Sequence, residues 1–230
     1  MALKPSVKRP GSVSERLSIT PLPSGRLQPE TVLIFGGICS IGGLVLLAWA
    51  VNLLTSFLGA LTLISYLFIY TPLKRVTWLN TAIGAVPGAL PPLMGWTAAR
   101  GELGGEGWSL FAILFFWQIP HFLAIAWLYR DEYAKAGFVM LPSVDPDGFR
   151  TGRQAVSHTL GLVLASLMPA FFGLAGTIYF AGALLLGMVF LGFAVLFARA
   201  LTTERARQLF FVSITYLPLL LGLMVLDKVR

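Results

Sequence analysis

Asp131, Glu132 and Tyr133 follow one another just past Arg130, the residue that ends an uncharged run closing at Tyr129. Two carboxylates at the end of an apolar helix suit Mg²⁺, which takes one or two carboxylates and completes its shell with water and substrate phosphate oxygens. Lys74 and Arg75 close another uncharged run, and Arg150 and Arg153 precede a third, all on the same side of the charge pattern. Ammonium and guanidinium groups there would neutralise the rest of a phosphate's charge. A lipid diphosphate matches this arrangement, with its head among the polar connections and its chain between helices. The plain alternative is a solvated loop whose charges do nothing further.

A second group of chemically capable residues lies inside an apolar run. Trp117-Gln118-Ile119-Pro120-His121-Phe122 puts an amide and an imidazole in mid-helix, and an ionisable residue at membrane depth is a functional-site hypothesis by default. His121 has the chemistry of a metal ligand, a haem-iron ligand or a proton carrier; packing against a neighbouring helix is the competing reading. His158, near the start of the next apolar run, reads as interfacial, with a ligand role as its alternative. Between Gly84 and Trp96, small residues alternate with Pro87, Pro91 and Pro92. Small residues permit close helix approach, and prolines that break regular hydrogen bonding are tolerated where a neighbour or a cavity re-satisfies the backbone.

The elements that must position these residues follow from where charge is absent. Of 230 residues, 57% are hydrophobic and 12% charged, against about 25% charged in an ordinary soluble domain. The runs Thr31–Leu73, Val76–Ala99, Gly107–Tyr129, Gln154–Ala198 and Gln208–Leu226 are 43, 24, 23, 45 and 19 residues long. A spanning helix needs about 20 apolar residues, so the first and fourth runs each hold two, turning near Asn52 and at 173–176. That predicts an all-α polytopic membrane bundle of about seven helices, near 31–50, 53–71, 80–99, 108–129, 154–173, 177–198 and 208–226. The proline-containing helix at 84–96 is expected to be broken. A barrel would need alternating polarity that the sequence lacks. Disorder, a collagen-like fibre and a disulfide scaffold are excluded, and with a single cysteine, Cys39, no intrachain disulfide forms.

Net charge +7 tempts a nucleic-acid reading, but most of the chain is too apolar for one, and no nucleic-acid partner is expected. Fourteen of the 17 basic residues fall in the segments that share a side with the amino terminus; only Arg100, Lys228 and Arg230 fall on the other. Positive residues stay inside, which predicts a cytoplasmic amino terminus and an outer carboxyl terminus. Residues 1–29 read as a flexible cytoplasmic segment without the apolar centre of a secretory signal, and 30–230 as the transmembrane domain.

Four motifs occur in order: Tyr70 through Asn80 (TyrThrProLeuLysArgValThrTrpLeuAsn), the glycine–proline helix at 84–96, Trp117 to Phe122, and Asp131 through Pro142, preceded by Pro21-Leu22-Pro23-Ser24-Gly25-Arg26. Together they closely resemble the haem O synthase branch of the UbiA-type intramembrane prenyltransferases. The resemblance implies transfer of a farnesyl group from farnesyl diphosphate to a vinyl group of haem B. It further implies Mg²⁺ bound with the diphosphate at Asp131 and Glu132, and catalytic roles for Asp131 and Lys74. Lys74, Arg75, Tyr133, Arg153, Asn80 and His121 would contact substrate, with His121 facing haem or its iron. It implies a bacterial inner membrane ahead of a mitochondrial one, surrounding membrane lipid, and haem A synthase as a candidate partner. The alternatives are a UbiA-type enzyme acting on a quinone or chlorophyll precursor, and a non-catalytic haem-binding or transport protein. The family carries nine helices and two acidic motifs. The stretch at 4–20 has no Asp or Asn and one Glu, so two leading helices and the first acidic motif are expected to be missing here, through a misplaced start or a truncation.

Overall fold

A computed structural model describes residues 27–229. The segment to Arg26, with the ProLeuProSerGlyArg stretch and the acid-poor region before it, lies outside the described residues. In chain order the helices are α1 (Pro29–Ala50), α2 (Leu53–Leu73), α3 (Asn80–Arg100), α4 (Gly105–Leu128), α5 (Arg130–Lys135), α6 (Leu141–Val144), α7 (Phe149–Phe171), α8 (Thr177–Ala200) and α9 (Thr203–Leu226). Among the described residues there is no strand, only an isolated bridge between Ala175 and Lys228. The seven long helices are those the uncharged runs predict.

Six of the seven are long and apolar enough to cross a membrane, α3 being the exception among the described residues. Its length of 21 residues matches the others, but Asn80, Thr81, Thr97 and three prolines dilute its apolar content. It is nevertheless one continuous helix, which corrects the expected break at 84–96. Pro91 and Pro92 have no N–H to offer, so the carbonyls of Pro87 and Gly88 lack their usual partners four residues on. Packing against α2 and α4 holds the helix together around that loss.

Two helix starts also differ from the charge-run expectation. α7 begins at Phe149, not 154, and α9 at Thr203, not 208. An uncharged run ends at the first charge, whereas a helix extends to its cap. The Asp145 carboxylate accepts hydrogen bonds from the Thr151 N–H at 2.8 Å and the Thr151 hydroxyl at 2.9 Å, and so caps α7. Gly148 enters that helix at φ +68°, where a Cβ would strike Leu201 and Trp127. The Thr202 hydroxyl oxygen accepts the Arg205 N–H and caps α9. Arg150 and Arg153 therefore sit on a helix, not in a connection between the helices expected at 108–129 and 154–173. At the opposite end the gap between the helices expected at 80–99 and 108–129 shrinks to 101–104, because α4 starts at Gly105.

α4, α7, α8 and α9 close a four-membered ring in which each packs on two neighbours. Leu162, Phe190, Phe197, Leu209 and Leu220 fill it without exposure. Gly152 lets α7 approach α8 so closely that a Cβ there would meet the Ala198 backbone. α3 leans on α4, α2 on α3 and α1 on α2, an open row beside the ring. α1 buries none of its residues and is apolar on every side, which is stable only against hydrocarbon. The chain is an integral membrane protein.

Polar groups tie the helices where lipid offers no hydrogen bonds. Asn52 caps α2 by accepting from Thr55 N–H and donates to the Thr97 carbonyl at 2.8 Å. In the ring, the Ser166 hydroxyl donates to the Leu162 carbonyl, so Tyr216 must be the donor in its 2.7 Å contact with Ser166. Tyr179 completes the cluster by donating to the Ser166 carbonyl at 2.8 Å.

Candidate active site

The end of α2 is wound wide. Ser65–Tyr70 forms a π-helical stretch, a form that recurs at functional sites. Pro72 explains it locally, since its ring clashes with the carbonyl four residues back and an ordinary turn cannot close there. The Thr71 N–H and hydroxyl both turn to the Tyr66 carbonyl instead. The result aligns Tyr66, Tyr70 and Lys74 on one face. The two rings lie 5.3 Å apart, and the Lys74 ammonium stands 4.3 Å from the Tyr70 centroid and 5.6 Å from that of Tyr66.

These three side chains form one wall of a cleft of about 400 Å³ at the basic end of the molecule. α3 forms the floor, with Thr81, Gly84, Pro87 and Gly88 turned toward it. A Cβ at Gly84 would run into the Tyr70 ring and one at Gly88 into the Gln118 amide, so both glycines make room for wall residues. α4 contributes Gln118 and Phe122, one turn apart. Gln118 donates to the Leu114 carbonyl at 3.0 Å and reaches toward that of Ala85 at 3.4 Å, which holds its amide against α3. The roof comes from Tyr133 of α5 and from Phe138 and Met140 in the connection after it, with Tyr133 and Phe138 packed edge to face at 6.2 Å.

Two connections far apart in sequence are joined over this cleft. The Val139 N–H donates to the Lys74 carbonyl at 2.9 Å. Asn80 donates its amide hydrogens to the Thr77 carbonyl at 2.6 Å and the Val139 carbonyl at 2.7 Å. The segment carrying Lys74 and the segment carrying the roof aromatics are therefore one unit.

Of the residues expected from sequence, Lys74 and Tyr133 meet in the cleft. Asn80, expected among the substrate contacts, is instead fully buried and spends its amide on that junction. Asp131 lies on α5 at the membrane face with its side chain 84% exposed, 3.8 Å from Arg130; Glu132 beside it is exposed as well. Arg75 and Arg153 are exposed and stand outside the cleft wall, Arg153 over the Phe149 ring at 5.7 Å. His121 faces α9, not the cleft. Its ring is stacked between Trp117 at 4.8 Å and Phe210 at 5.2 Å, and its Nδ1 lies 2.8 Å from the Ser213 hydroxyl. That hydroxyl already donates to the Phe210 carbonyl, so Nδ1 is the donor and Nε2 keeps the lone pair.

Among the described residues no group of three or more His, Cys, Asp or Glu side chains could hold a metal ion. The adjacent Asp131 and Glu132 carboxylates still fit Mg²⁺ when a diphosphate supplies the remaining oxygens. Sequence reasoning missed Tyr66 and Thr81, and it took in Phe138 and Met140 only within the Asp131–Pro142 motif, without singling them out. The four-residue spacing Tyr66, Tyr70, Lys74 was a usable signal for Tyr66; Phe138 and Met140 depend on how the roof folds back.

The arrangement can seat an anion at Lys74 and an apolar chain against aromatic faces, and such faces also attract a cation. A family model described as the UbiA prenyltransferase family matches residues 11–215. The chain is 51% identical over 228 residues to a protein of Solibacter usitatus (strain Ellin6076) named protoheme IX farnesyltransferase, covering 99% of this chain and 78% of that one. It is 46% identical over 220 residues to a protein of the same name in Koribacter versatilis (strain Ellin345), covering 93% and 71%. A solved digeranylgeranylglyceryl phosphate synthase shares the fold, with TM-score 0.77 at 19% identity over 90% of this chain and 72% of that one.

Proposed function

Because the chain belongs to the UbiA prenyltransferase family, we propose that it transfers a farnesyl group from farnesyl diphosphate to a vinyl group of haem B, giving haem O. The observation that carries this reading is the Lys74 ammonium at the mouth of an aromatic-walled cleft, together with relatives named protoheme IX farnesyltransferase.

Lys74 binds the diphosphate and stabilises the charge that grows on it as the allylic C–O bond breaks, the electron pair leaving with the diphosphate. Tyr66, Tyr70, Phe122, Tyr133 and Phe138 line the cleft and offer π faces to the allylic cation. The vinyl π pair then forms the new C–C bond. The cation left beside the pyrrole ring takes up water, and one proton returns to solvent. Walls of this kind exclude water from the donor until the vinyl group has captured the cation.

Asp131 and Glu132 are the proposed Mg²⁺ ligands, and the ion, bound with the diphosphate, supplies charge neutralisation to the leaving group. Arg75 and Arg153 add positive potential at the same end, which attracts the anionic head. That end faces the cytoplasm by the positive-inside rule, the carboxyl terminus lies outside, and the membrane is the bacterial inner membrane. Haem A synthase is the enzyme that would consume the product.

The test is pigment extraction from membranes holding the full chain, supplied with haem B and farnesyl diphosphate. Mass spectrometry should find a haem heavier by one farnesyl group plus one hydroxyl, formed with release of diphosphate. Prenylation of an aromatic acid acceptor with haem left unchanged would replace this reading by a quinone-directed one.

A further inference from the structure

A second cavity, of about 230 Å³, lies beside the cleft. Thr81 lines both. α4 serves the two from adjoining stripes: Gln118 and Phe122 face the cleft, Ile119 and Leu123 the second cavity. Apart from Thr81, its polar lining is Gln154 and His158 of α7, against walls that are otherwise apolar.

His158 is held in one tautomer. Its Nδ1 lies 2.8 Å from the Gln154 carbonyl, and a carbonyl only accepts, so Nδ1 carries the hydrogen and Nε2 the lone pair. Among the described residues no hydrogen bond reaches Nε2. Metal-ligating histidines are prepared in this way, with one ring nitrogen donating to a carbonyl and the other left as donor to the metal. An apolar slot with one such nitrogen suits the iron of a flat, hydrophobic macrocycle better than a hydrated cation.

The same helix face continues toward the basic end. Arg150, Gln154 and His158 recur at four-residue intervals, which stack on one face. At about 1.5 Å per residue the Arg150 backbone is roughly 12 Å from that of His158. Arg150 is exposed and makes no ion pair with a described residue. A porphyrin whose iron met His158 would thus find a cation in the direction its propionates must take to reach water, and Thr81 between its opposite edge and the cleft.

We propose that His158 Nε2 is the iron ligand of the acceptor porphyrin, seated edge-on in this second cavity, with Arg150 pairing a propionate. This rests on haem B being the acceptor and assigns its site. It takes the ligand role expected of His121 from sequence and gives it to the histidine that borders the cleft's neighbour.

The experiment is a ferric haem B titration of the full chain in lipid nanodiscs, followed by absorption and electron paramagnetic resonance. Wild type should show imidazole-ligated iron. His158→Ala and His158→Gln should bind haem at least tenfold more weakly without that signature, while farnesyl thiolodiphosphate still binds within twofold of wild type. Free imidazole should restore the signature to His158→Gly, an effect no merely structural role predicts, and Arg150→Glu should weaken haem binding with the signature intact. His121→Ala should keep it. An unchanged spectrum and affinity in the His158 variants, or loss of the signature in His121→Ala instead, overturns the assignment. If wild type still farnesylates haem in that case, only the ligand assignment falls; if wild type neither binds nor modifies haem, the functional reading falls and the assignment with it.

Discussion

In its proposed role Lys74 combines two demands that usually conflict: its ammonium rests on two tyrosine rings, yet that role has it meet an anion at the cleft mouth. Cation–π contact holds the charge in place at low cost, and under the proposed mechanism that preorganises it for charge appearing only as the C–O bond breaks. Replacing Lys74 by Ala should lower kcat/KM for farnesyl diphosphate by 10²–10³, about 3–4 kcal/mol of transition-state stabilisation. Lys74→Arg should recover part of that loss, because charge survives while the compact point of contact does not. Steady-state kinetics on both variants checks this, and equal activity in wild type and Lys74→Ala would remove the residue from the mechanism. Lys74 and Tyr133 were legible in the sequence because their types and motif context carry the chemistry. His121 was legible as a polar residue at membrane depth, but not in its direction. That depends on which stripe of α4 meets α9, and Trp117, Gln118, Ile119 and His121 point to three different neighbours within little more than one turn.

At the scale of elements, the junction made by Asn80 decides whether the cleft has a roof. Leucine at this position removes both side-chain donors: the part-buried Val139 carbonyl loses its Asn80 partner, while that of Thr77 keeps the backbone N–H of residue 80, a loss of about 0.5–1.5 kcal/mol per hydrogen bond. The expected outcome for Asn80→Leu is a KM for farnesyl diphosphate raised more than kcat is lowered, with faster proteolysis at 136–140 and an unchanged helical circular-dichroism spectrum. A substrate contact at Asn80 would instead leave proteolysis unaltered. The seven long helices could be read from the uncharged runs because hydrocarbon leaves the backbone little other choice. The starts of α7 and α9 could not, since their caps at Asp145 and Thr202 lie beyond charges that end a hydropathy run but not a helix. The continuity of α3 was hidden for a related reason. Three prolines read as a break in one helix, but the neighbours on both sides hold it together.

For the whole molecule, α4, α7, α8 and α9 form the closed ring, and α3 and α2 of the row beside it border the cleft. The Ser166, Tyr179 and Tyr216 cluster locks α7, α8 and α9 to one another. Removing one hydroxyl with Tyr216→Phe should cost about 0.6–1.7 kcal/mol, the range for interhelical hydrogen bonds in membranes. Unfolding measurements in detergent micelles should register that loss while prenyl transfer continues at the wild-type rate, because the cluster lies away from the cleft; a collapse of activity would show that ring and cleft are mechanically coupled. The contact between Asn80 and Val139 spans 59 residues of chain, and those residues contain the whole α3–α4 hairpin. During biogenesis the roof cannot be fastened until both of those helices have left the translocon and turned back on themselves. A nascent chain halted earlier displays Lys74 without a cleft, so it has no place in which to ionise an allylic diphosphate exposed to water.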